Sequence, residues 1–102
     1  MTPRQGDNDP ALLRQRLAVV AAISLVNARQ LRNWQVRGGA EIEASYLEQV
    51  IAGDGGSDTH LAALVEVRSR LQEVEVVMRQ CDEELATLNA RLAALDHLVS
   101  GE

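Results

Sequence analysis

Lysine and phenylalanine are missing from this 102-residue chain, and tryptophan, tyrosine and cysteine occur once each. Without lysine there is no phosphate-binding Gly-x-x-x-x-Gly-Lys loop, and one cysteine allows neither an intrachain disulfide nor a cysteine metal site. With aromatics at 2% and no alternating strand-like runs, a β-rich domain is excluded, because sheets lean on aromatic and β-branched alternation. The two prolines both fall within the first ten residues, so nothing later in the chain forbids a helix. All ten basic residues are arginine, which together with the Ala, Leu and Val excess points to a GC-rich coding sequence and a bacterial source.

What is present is helical pattern. From Leu64 to Val99 eleven positions spaced three and four apart are all apolar: Leu64, Val67, Leu71, Val74, Met78, Cys81, Leu85, Leu88, Leu92, Leu95 and Val99. Five heptads of this kind define one long helix over 58–99 with a continuous coiled-coil seam. Upstream, residues 1–10 read as a flexible tail ending in an Asp9 cap and Pro10 at the first helical position. A helix over 11–37 follows, with Leu12, Leu13, Leu17, Val19, Val20, Ile23, Val26, Leu31 and Trp34 on one half of its circumference. Gly38-Gly39 then predicts a kink or break, since two adjacent glycines cost about 1 kcal/mol each inside a helix. A second segment over 40–52 places Ile42, Leu47, Val50 and Ile51 inward, and Gly53 to Asp58 is a turn.

The two arms match in length, so the expected fold is all-α: a long antiparallel helical hairpin with a kinked first arm and a straight coiled-coil second arm, forming a single domain over 11–102. Charge supports the pairing. Residues 11–37 hold five arginines and no acid, whereas from Asp58 onward nine acids face four arginines. Val65, Val76, Val77 and Leu98 lie outside the seam and require further cover, which a second hairpin would supply in a four-helix bundle. Leu at one seam position with β-branched residues at the other favours more than two strands. Parallel copies of the last helix would pair Arg70 with Glu75 and Arg91 with Asp96.

Candidate chemistry is sparse. Cys81 sits mid-seam, either as a small buried apolar residue or as an interchain disulfide. His60 and His97 have no ligand partner at i+3 or i+4, so no metal and no cofactor is expected, and both read as solvated. Leu17 to Val26 is ten uncharged residues behind Arg14 and Arg16, consistent with a signal-sequence core but better read as a buried helix face in a cytoplasmic protein.

Leu13-Arg14 opening a long helix, Arg29 further along and Tyr46-Leu47-Glu48-Gln49-Val50 resemble the small all-helical chorismate mutases, which would imply an enzyme built on convergent Arg and Glu. Ala18 and Ala21 stand where that family carries paired acids, its substrate-binding Lys is absent, and the last helix is about twice too long. An Arg-rich first helix suggests nucleic acid, yet no base-reading helix or basic arm follows. The preferred expectation is a non-enzymatic interaction module, similar in shape to the helical-hairpin chaperones of flagellar and type III export. It would self-associate through the eleven seam residues, with an amphipathic helix of another protein as a further partner, a client site at Trp34, Val65 and Val76, and neither membrane nor nucleic acid as ligand.

Overall fold

The computed structural model describes residues 9–53 and 55–101, so the predicted tail over 1–8 lies outside the described residues. The chain is all-helical: α1 spans Pro10–Ala52 and α2 spans Asp58–Ser100, 43 residues each, joined by the glycine-rich turn. The all-α helical hairpin read from the sequence is thus the fold, and α2 matches its predicted bounds to one residue.

Both helices begin with side-chain caps. Asp9 Oδ1 accepts from the backbone N–H of Ala11 at 2.9 Å and of Leu12 at 3.4 Å, satisfying two donors that a helix start leaves without partners. At the start of α2 the Ser57 hydroxyl accepts from the His60 N–H at 3.3 Å, while His60 Nδ1 accepts from the Ser57 N–H at 3.2 Å. This reciprocal pair is a capping box with histidine in the place of the usual Glu or Gln. His60 is half-buried rather than solvated as the sequence suggested. At the other end Gly101, with φ of 76°, takes the left-handed conformation that terminates a helix without a Cβ penalty.

The expected break at Gly38-Gly39 is absent, and the predicted segments 11–37 and 40–52 are one helix. The reason lies in the heptad phase. Inward positions on α1 run Leu12, Arg16, Val19, Ile23, Val26, Gln30, Asn33, Arg37, Ala40, Ala44, Leu47 and Ile51, every one buried or half-buried and spaced four and three without interruption. A register continuous across the glycines gives them tertiary support that outweighs their poor propensity. Leu13, Leu17, Leu31 and Trp34, expected on the inner half of the helix, are exposed, and Ile42 is 74% exposed where Ala40 and Ala44 turn inward, because the stripe that faces α2 is narrower than half the circumference.

Two compact units make up the fold. The first joins α1 up to Arg29 with α2 from Cys81; the second is Gln30–Gln80 and contains the turn. In the second, Ala40, Ala44, Leu47, Leu64 and Val67 form the core, with Ile51, Ala63 and Leu71 packed against it, and Val67 is completely buried. Small Ala40 and Ala44 on α1 thus share one buried cluster with the larger Leu64 and Val67 on α2. The side-chain amide of buried Gln30 donates to the backbone carbonyl of Met78 at 3.0 Å, and Asn33 donates to Gln30 Oε1 at 3.2 Å. A polar group inside an apolar seam fixes register, because any slip would strand it without a partner. Ion pairs flank the seam: Glu48–Arg68 at 3.1 Å on one side, Glu43–Arg70 at 3.1 Å on the other.

In the first unit Val19, Val26, Cys81 and Leu95 are buried, and Arg16–Asp96 at 2.6 Å and Arg29–Glu84 at 2.8 Å link the helices. The basic start of α1 thus meets the acidic end of α2, as the charge distribution suggested. All these pairs are about half exposed, so each stabilises by roughly 0 to 1 kcal/mol and acts chiefly to select the antiparallel arrangement.

Candidate interaction surface

The eleven seam residues that the sequence offers as an oligomer interface are all turned inward. Leu64, Val67, Val74, Met78, Cys81 and Leu95 are buried; Leu71, Leu85, Leu88, Leu92 and Val99 are half-buried. In the second unit Leu64 and Val67 pack with Ala40, Ala44 and Leu47 of α1, and Leu71 packs against this core, while the half-buried seam residues keep part of their surface accessible. The charges that were to match parallel copies of α2 are likewise engaged internally, Arg70 with Glu43 and Asp96 with Arg16.

The proposed client residues Trp34, Val65 and Val76 are all exposed, Val65 at 69%. The structure does not gather them into one patch. Trp34 lies two heptads before Glu48, hence on the flank of the Glu48–Arg68 pair but about 21 Å along α1 from it. Val65 precedes Arg68 by one helical turn, at the far end of that flank. Val36 and Val77 stand one heptad on from Glu43–Arg70, on the opposite flank, and Val76 lies beside Val77. Trp34, read in the sequence as either core or anchor, is 56% exposed and belongs to the surface.

The outer face of α1 in the second unit went unnoticed in the sequence. It carries an open hollow lined by Gly38, Glu41, Ile42, Ser45, Tyr46 and Gln49. These residues make two overlapping diamonds at i, i+3, i+4 and i+7, the shape of the holes that receive knobs from a facing helix. A Cβ built on Gly38 meets nothing within 4 Å. The signal that could have revealed this face is the heptad phase of α1 itself: once 37, 40, 44 and 47 point inward, 38, 42, 45 and 49 must point out.

In the first unit Leu13, Leu17, Leu25 and Leu98 are exposed. α1 contains an 18-residue window near its N-terminal end with mean hydropathy 1.4, of which only 11% is buried; by length and composition it could cross a membrane. A smaller hollow lies among Gln15, Ala18, Val19, Ala22, Leu88 and Arg91.

Arg14 and Arg29, the pair behind the enzyme resemblance, do not converge. They are about 22 Å apart along α1, and Arg29 is engaged by Glu84. Three of the five arginines in 11–37 are ion-paired, Arg16 and Arg29 across to α2 and Arg37 with Glu41 at 3.5 Å. Among the described residues no three His, Cys, Asp or Glu side chains are grouped to hold a metal ion, and no buried side-chain polar atom lacks a hydrogen-bond partner. No family model, no curated protein and no solved structure matches this chain.

Proposed function

We propose that this protein is a non-enzymatic helix-packing module, an adaptor, assembly factor or chaperone-like protein that self-associates and offers apolar helix faces to helices of other proteins. One observation carries the reading. Leu17 and Leu25 are each 68% exposed, and large apolar side chains stand uncovered on the outer faces of both helices. Large apolar side chains exposed along the outer faces of a helix are surface that a facing helix can cover. Cover by protein is favoured over cover by lipid, because Arg14, Arg16 and Asp96 accompany the apolar start of α1.

Mass by light scattering across a hundredfold concentration range tests the proposal. The expected result is a mass rising above the 11.1 kDa of one chain. A mass of one chain at every concentration would remove self-association from the reading.

A further inference from the structure

We infer that the outer face of α1 between Leu31 and Gln49 pairs with the same face of a second copy, antiparallel and about a two-fold axis beside Gly38 and Ile42. The inference rests on the helix-packing reading above and names the surface that it leaves open.

Outward positions Leu31, Gln35, Gly38, Ile42, Ser45 and Gln49 step by four and three, a second heptad stripe opposite the internal seam. None of the six is charged, in a chain where one residue in four is. In an antiparallel pair each layer sets one seam position against the alternate seam position of its mate. Aligning Ile42 with Gly38 of the second copy also aligns Gln35 with Ser45 and Leu31 with Gln49, each pair occurring twice by symmetry. The match is one of shape. Ile42, the most exposed large apolar side chain among the described residues, becomes the knob, and the open space over Gly38 becomes part of the hole that receives it. Small Ser45 likewise faces longer Gln35. Self-complementarity of this kind is what a two-fold interface demands.

Area agrees. Leu31, Trp34, Ile42 and Tyr46 are each more than half exposed, together exposing on the order of 500 Å² per copy, so that their full cover in two copies amounts to about 1,000 Å², the threshold that a specific interface has to clear, with the seam's polar residues adding to it. The face lies opposite the α2-facing side of α1, so pairing leaves the second unit's core undisturbed. Glu41 approaches Glu41 of the second copy beside the axis, each with Arg37 as its ion-pair partner. That single like-charge contact holds the association back.

The experiment combines mass, helicity and cross-linking. Ile42→Glu is expected to weaken dimerisation on the order of 30-fold or more with unchanged helicity by circular dichroism, and Glu41→Gln to strengthen it. In a Cys81→Ala background, Glu41→Cys should oxidise to a cross-linked dimer. Gln49→Cys should not cross-link to its own mate, some 27 Å away along the axis, but should do so when mixed with Leu31→Cys. A wild-type dimer that Ile42→Glu leaves intact would overturn this surface while sparing the helix-packing module. Self-cross-linking of Gln49→Cys would overturn the antiparallel register. A wild-type protein monomeric at all concentrations would overturn both self-association and this surface, leaving the face to another protein's helix.

Discussion

Replacing Gly39 by alanine asks directly whether α1 is continuous. Gly39 is exposed in mid-helix, and a Cβ built there meets nothing within 4 Å. The substitution therefore adds no clash and restricts the unfolded chain, and a glycine inside a helix is less favourable than alanine by about 0.8 to 1.0 kcal/mol. For a domain of this size about 1 kcal/mol raises Tm by roughly 4 to 8 °C. Gly56→Ala is the internal control. Its Cβ would come within 2.9 Å of Ile51 Cα, a backbone atom with no rotamer to escape into. Overpacking of this kind costs about 1 to 3 kcal/mol and lowers Tm. Thermal unfolding followed at 222 nm, at one protein concentration for all variants, reads both signs. A Gly39→Ala variant that melts below wild type would refute a continuous helix and restore the break that the glycine pair suggests.

Other substitutions probe the caps and the seam. Ser57→Ala removes the hydroxyl that caps α2 and should destabilise by about 1 kcal/mol in chemical denaturation, whereas Thr59→Ala, two residues on, should sit near wild type. Gln30→Ala leaves a cavity and deletes the bond to Met78, for a loss on the order of 1 to 3 kcal/mol. Gln30→Leu should recover most of that stability, and amide exchange should show the second unit's register less firmly held. The buried Cys81 thiol should react with a disulfide reagent only as fast as the fold opens, and the rate should rise in step with denaturant. A fast native-state reaction would show the seam open at its centre.

Much of this architecture was legible because it rests on period alone. The apolar run from Leu64 to Val99 left α2 no other conformation, and Asp9-Pro10 and the Gly53 to Asp58 turn marked the helix limits. The inner face of α1 was harder for a physical reason. Gln30, Asn33 and Arg37 occupy inward positions, and apolar Leu17, Leu25 and Ile42 occupy outward ones, so hydrophobicity taken residue by residue reports a stripe that does not exist. Only the phase of Val19, Ile23 and Val26, carried forward through the glycines, recovers it. The outer face followed the same error: with Ile42 assigned to the core, the hole beside Gly38 could not be seen. His60 was hidden because a histidine at the third position of a helix carries no capping signal until its ring is placed against Ser57.

Val67 packs inside one chain, in the core that Ala40, Ala44 and Leu47 of α1 form with Leu64, and the association proposed above uses the outer face of α1 instead. Val67 and Val65 lie two residues apart on α2, the first wholly buried and the second mostly exposed, and aspartate at each gives the sharpest comparison. The measurement is cooperative thermal unfolding of both variants at high and low protein concentration. Val67→Asp is expected to lose its transition at every concentration, while Val65→Asp melts within a few degrees of wild type. A Val67→Asp protein that keeps its transition and merely loses mass would place the seam between chains.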